Sequence, residues 1–96
     1  ELLPATFALH QNYPNPFNPV TTIKYDLPEN SQVQIAIYNM LGRKVKTLVH
    51  GFEVAGFKAV QWQGRNDFGQ SVGAGVYICQ IRTRDFVQTR KMILLK

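Results

Sequence analysis

Between residues 12 and 19 the chain reads Asn-Tyr-Pro-Asn-Pro-Phe-Asn-Pro, and an alternating run from Val20 to Leu27 comes directly after it. Pro14, Pro16 and Pro19 fix φ near about −65° and take away backbone donors, so this stretch is neither helix interior nor central strand. Each proline also pushes the residue before it, Tyr13, Asn15 or Asn18, toward extended geometry. The result is a loop that is stiff before it meets anything. It carries two aromatic side chains, Tyr13 and Phe17, and a ring on a stiff backbone either staples the loop to a core or offers itself to a partner. The staple is the expected role, because ring burial is what keeps a proline-rich loop ordered.

The rest of the chain has to supply that core. Its 96 residues are enough for one domain, and 45% apolar with 18% charged residues describes a folded chain rather than a disordered one. The chain opens on Glu1 without a methionine, and residues 1–11 are expected to be the tail of a linker, with the domain itself at 12–96. Leu2, Leu3, Phe7, Ala8 and Leu9 are apolar but lack the basic flank of a signal peptide. No run approaches the roughly 18 apolar residues of a membrane span.

Alternation with period two runs through most of the chain beyond Val20. Ile23, Tyr25 and Leu27 alternate with Thr22, Lys24 and Asp26, and Val33, Ile35 and Ile37 with Gln32, Gln34 and Ala36. Asn39-Met40-Leu41-Gly42 has the residues of a hairpin turn, and Val45, Thr47 and Val49 alternate on the return. A further strand, 58–63, points Val60 and Trp62 inward. Residues 75–83 and 86–95 make a last hairpin turned at Arg84-Asp85. If Tyr77, Cys79 and Ile81 face the core, either Val87, Ile93 and Leu95 or Phe86, Met92 and Leu94 join them. The first set is preferred, with the Lys91 stem along the sheet margin and its ammonium in water. No apolar period of 3.6 persists anywhere. The fold class is therefore all-β: an immunoglobulin-like β-sandwich of about seven antiparallel strands.

Chemistry is hard to find. There is no paired carboxylate, no Ser-His-acid set and no phosphate-cradling glycine loop, and His10 and His50 stand apart from any second ligand or nucleophile. Cys79 is the single cysteine and reads as a small core residue. Asn66 and Asp67 sit in the glycine-rich stretch 64–75, where a calcium ion needs several oxygens, but one carboxylate favours an Asx-turn. The net charge of +5 gathers in part on Arg43, Lys44 and Lys46 and on Arg82, Arg84, Arg90, Lys91 and Lys96. Without a recognition motif these read as a solvated sheet surface, so no nucleic-acid partner is expected. No cofactor, metal or catalytic residue is expected either, which leaves a binding, structural or targeting unit.

The residues themselves resemble a known family. Residues 9–19, Leu-His-Gln-Asn-Tyr-Pro-Asn-Pro-Phe-Asn-Pro, with Thr21-Thr22-Ile23, are similar to the opening of the type A C-terminal sorting domain of the type IX secretion system. Ile37-Tyr38-Asn39 with Leu41-Gly42 and Val45, Trp62 with Gly64-Arg65, Gly75-Val76-Tyr77, and Thr89-Arg90-Lys91-Met92-Ile93-Leu94-Leu95-Lys96 agree with it. The middle motifs are shared with the immunoglobulin-like domain of the flagellar hook-capping scaffold. Gln63 and Asn66, where members often carry aspartate, and Cys79, where an aromatic is common, depart from the pattern.

The resemblance implies a module at the C-terminus of an exported bacterial protein, with N-terminal cargo in the same chain. Its partners would be an outer-membrane translocon and a sortase-like peptidase, and its destination the cell surface or outer membrane after passage through the periplasm. The recognition residues it implies are Asn12, Tyr13, Pro14, Asn15, Pro16, Phe17, Asn18 and Pro19, then Gly75, Val76 and Tyr77, then Lys91, Met92, Ile93, Leu94, Leu95 and Lys96. Two other readings compete: a passive immunoglobulin-like spacer, and a carbohydrate-binding module stacking sugars on Tyr38, Trp62 or Phe68.

Overall fold

Strands form where the alternation is cleanest. The computed structural model describes residues 2–95, and in it seven strands run in order: β1 (Ala8–Leu9), β2 (Thr21–Leu27), β3 (Ser31–Asn39), β4 (Lys44–Glu53), β5 (Gly56–Trp62), β6 (Gly75–Arg82) and β7 (Val87–Leu94). They make two antiparallel sheets, one ordered β1-β2-β5 and the other β4-β3-β6-β7. The chain changes sheets after β2, β4 and β5, as an immunoglobulin-like sandwich does.

The core is the sum of the inward rows. Ile23, Tyr25 and Leu27 of β2 face Val33, Ile35 and Ile37 of β3 and Tyr77, Cys79 and Ile81 of β6, with Trp62 and Leu9 buried among them. All but Leu9 are positions that the period-two pattern assigns inward. Within β4 the alternation fails, because register shifts opposite Ile35/Ala36 and Ile37/Tyr38 let Val45, Leu48 and Val49 all lean on the core. An extra residue in one strand turns every later side chain over, which is how Leu48 escapes the solvent face that strict alternation gives it.

The last hairpin takes the opposite register to the one preferred from sequence. Met92 and Leu94 are fully buried and Phe86 packs partly against the core, whereas Val87, Ile93 and Leu95 are exposed. Either register carries one basic residue inward, Lys91 or Arg90, and the preference for the exposed set rested on the Lys91 stem lying along the sheet margin. The structure turns Arg90 inward instead. The inward row of β7 begins with Gln88 and Arg90, which lie at the seam between the two sheets. There the Arg90 guanidinium donates through Nε to the Leu9 carbonyl at 2.8 Å, and the Gln88 side-chain oxygen accepts from the Leu9 amide at 2.9 Å. Leu9 belongs to the stretch expected as linker, yet its backbone and the Arg90 side chain satisfy each other, so the charge turns inward without being stranded.

The long axis, 37 Å of a 37 × 23 × 20 Å body, separates two poles. One pole holds the β2–β3 and β6–β7 turns, where Phe7 stacks on Phe86 at 5.4 Å and the buried Tyr25 hydroxyl donates to Glu53. Burial, then that carboxylate, holds the Tyr25 pKa above the ordinary tyrosine range. The other pole holds the proline loop, the β3–β4 turn, the 64–75 loop and the end of β7.

Candidate functional site

The proline loop joins β1 to β2 and lies across the end of β7. The peptide bonds before Pro14, Pro16 and Pro19 are cis. Of the two rings it carries, Phe17 is the staple at 1% exposure, while Tyr13 is 79% exposed. Phe17 meets Trp62 at 5.7 Å, and Trp62 in turn meets Tyr77 edge-on at 5.3 Å. A ring from the loop, one from β5 and one from β6 thus interlock, in the offset and edge-on geometries that aromatic quadrupoles favour.

The backbone on either side of Phe17 does a second job. Its amide donates to the Ile93 carbonyl at 2.9 Å and its carbonyl accepts from the Leu95 amide at 2.8 Å, a parallel bridge centred on Leu94. The Asn15 side-chain oxygen accepts from the Ile93 amide at 3.0 Å, and Gln11 Nε2 donates to the Lys91 carbonyl at 2.8 Å. β7 is an edge strand, and an edge with free amides and carbonyls invites pairing with other chains. Here the loop covers the last half of that edge. The two stretches singled out in the sequence, at opposite ends of the domain, form one joint.

Asn12 keeps the loop in shape. It is 3% exposed. Its amide nitrogen donates to the Pro14 carbonyl and to the Thr21 hydroxyl, its oxygen accepts from Gln11 Nε2, and Thr21 donates to the same Pro14 carbonyl. Replacing Asn12 with alanine removes three hydrogen bonds from a buried site, leaving the Thr21–Pro14 and Gln11–Lys91 pairs, and is expected to lower stability by about 1–3 kcal/mol. Urea denaturation of the purified domain measures it, and a change below about 0.5 kcal/mol would show that water restores what Asn12 supplies.

The remaining motif residues frame the same pole. Trp62 Nε1 donates to the Arg65 carbonyl, and the Tyr77 hydroxyl donates to the Gly73 carbonyl at 2.6 Å. Gly64 takes φ +71°, and a Cβ there would stand 3.3 Å from the Pro19 carbonyl oxygen and 3.5 Å from Leu94, so glycine is required by both backbone and space. Asn39 accepts from the Leu41 and Arg43 amides and shapes the β3–β4 turn. Of the recognition residues implied by the resemblance, Asn12, Phe17, Tyr77, Met92 and Leu94 are buried and Val76 is half-buried. Tyr13, Pro14, Asn15, Pro16, Asn18, Pro19, Gly75, Lys91, Ile93 and Leu95 are exposed; Lys96 lies outside the described residues.

Several other readings resolve here. Asn66 accepts from the Phe68 and Gln70 amides, an Asx-turn, and Asp67 accepts from the Thr47 amide at 3.0 Å. Asn66 Oδ1 and Asp67 Oδ1 each accept from backbone amides, and among the described residues no group of three or more His, Cys, Asp and Glu gathers that could hold a metal. Trp62 is fully buried and cannot stack a sugar, which leaves only Tyr38, half-buried, and Phe68, 87% exposed, of the three rings named for that role. Cys79 is 1% exposed, and burial pushes its thiol pKa from 9.0 up to about 12. The folded state therefore favours the neutral thiol: its share of stability is intact below pH 9 and is lost as pH rises toward 12. A thiol-selective reagent at pH 8 is expected to label unfolded protein in urea and spare the native domain; fast native labelling would contradict that.

Sequence reasoning missed β1 and the roles of Gln11, Gln88 and Arg90. The available signal was Gln88 and Arg90 in the same parity as Met92 and Leu94, a polar start to a core-facing row.

Among known protein families, the one described as the secretion system C-terminal sorting domain matches over residues 11–95. No curated protein matches the chain. Among solved structures, dimeric latent PorU from Porphyromonas gingivalis superposes with a TM-score of 0.68 at 19% identity, over 97% of this chain and 10% of that one. PorZ, an essential bacterial surface component of the type-IX secretion system of P. gingivalis, superposes with a TM-score of 0.64 at 19% identity, over 93% of this chain and 12% of that one. Both likenesses are of fold, and this chain spans about a tenth of each protein's length. With the match running from the proline loop through β7, the chain belongs to the family of secretion system C-terminal sorting domains.

Proposed function

We propose that residues 12–96 are a non-catalytic sorting module that directs a larger exported bacterial protein through the type IX secretion system to attachment at the cell surface. Residues 1–11 lead in from the cargo. The partners are the outer-membrane translocon and a sortase-like peptidase, met after passage through the periplasm, and the resting place is the cell surface or outer membrane.

One observation carries this reading: the proline loop and the end of β7 are locked together at one pole, and the chain enters at the other. Ala8 pairs with Asp26 near the far end of β2, whereas the loop ends at Thr21, so the entry and the joint lie about 17 Å apart along that strand. A passenger joined ahead of Leu2 leaves the joint uncovered. A rigid surface of this kind is recognised at little ordering cost. The family membership and the fold shared with PorZ support the same conclusion.

The test is a fusion of residues 1–96 behind a periplasmic reporter in a bacterium that has the secretion system. The expected result is reporter at the surface, accessible to added protease. Reporter retained in the periplasm would refute the proposal and favour the passive spacer.

A further inference from the structure

Away from the joint, the outer face of the four-stranded sheet carries an open depression at the opposite pole, lined by Gln32, Gln34, His50, Arg82, Thr83 and Arg84. The register explains the cluster. Gln34 of β3 stands opposite His50 of β4 on one side and Arg82 of β6 on the other, so an amide, an imidazole and a guanidinium line up across three strands. Neither Arg82 nor Arg84 is ion-paired among the described residues; Arg82 makes only a long 3.5 Å contact to Gln80. Thr83, between the two in sequence, continues the inward row of Tyr77, Cys79 and Ile81, and its buried hydroxyl has no hydrogen-bond partner.

Two guanidiniums with donors to spare and no ion pair make a fork for a tetrahedral oxyanion. The neighbouring ground says what the anion is attached to. Thr83 and Arg84 also line a second depression, together with Phe52, Gln32 and the carboxylates Glu29 and Asp85. A uniformly charged polymer would run its next charge onto those carboxylates. A single charge on a neutral, hydroxyl-rich body would not: its ring would lie against Phe52, 63% exposed, and its hydroxyls would meet Gln32, Glu29 and Asp85. We propose that this pole binds a saccharide bearing one phosphate or sulfate ester, with Arg82 and Arg84 holding the ester. The inference stands apart from the sorting role.

Glucose 6-phosphate is the probe, titrated into the isotope-labelled domain and followed by the amide resonances of Gln34, His50 and Thr83. Support is saturable shifts at those residues, a roughly ten-fold weaker affinity in the Arg82→Gln/Arg84→Gln variant, and less than a two-fold change in Arg43→Gln/Lys44→Gln at the other pole. Both pairs are exposed, and an unchanged circular dichroism melt confirms that each variant folds. The proposal is overturned by no binding, or by inorganic phosphate binding as tightly as the sugar ester. It is equally overturned by a short thymidine oligonucleotide binding more tightly, or by equal weakening in the two variants.

Discussion

Replacing Phe17 with alanine is expected to destabilise the domain by about 3–5 kcal/mol, the largest effect of any substitution in the proline loop. The ring is 1% exposed and sits against Trp62, so its removal opens a cavity that the surrounding strands cannot collapse to fill. The loop is held by its prolines on one side and by the Ile93 and Leu95 hydrogen bonds on the other, which limits relaxation further. A domain of this size has only about 5–10 kcal/mol to lose, so Phe17→Ala should sit near the edge of folding at 37 °C. Tyr13→Ala, on the same loop, is expected to stay within about 0.5 kcal/mol because its ring is in solvent. Urea midpoints for the pair measure the contrast. Equal effects would mean that the loop is not stapled through Phe17.

The second large effect separates neighbours on β7. Met92 is fully buried, and its truncation to alanine is expected to cost about 2–5 kcal/mol. Ile93, next in the chain, points out of the sandwich at 37% exposure, and Ile93→Ala is expected to cost less than about 1 kcal/mol. The same denaturation experiment decides it, and the reverse order would restore the register preferred from sequence. Deleting 91–96 removes Met92 and Leu94 together with the bonds to Gln11, Asn15 and Phe17. Loss of surface display after such a deletion would therefore report unfolding as readily as a lost address.

The sequence was legible where one physical rule governs a residue. Val33, Ile35 and Ile37 obey period-two burial, and Phe17 could be read as a staple because little else orders a loop with three prolines. Gly64 stood in a glycine-rich stretch whose backbone had to take unusual turns. Legibility failed where two rules competed. In the last hairpin, apolar residues occur in both parities, and the partner that satisfies the inward Arg90 is the Leu9 carbonyl, far away in the chain. In β4 a register shift let Leu48 lean inward against its parity. That the loop and β7 meet was likewise beyond any pattern: Asn15 and Gln11 look like ordinary loop amides until β7 lies beside them.

If the domain is an address, the exposed surface of the joint is what the export machinery reads. The most direct measurement is surface display of a reporter fused to residues 1–96, comparing Tyr13→Ala/Lys91→Gln at the joint with Phe57→Ser/Lys58→Gln on β5 near the opposite pole, each confirmed by an unchanged melting temperature. The predicted result is that the joint variant stays in the periplasm while the other reaches the surface. Display of both, or retention of both, would contradict it.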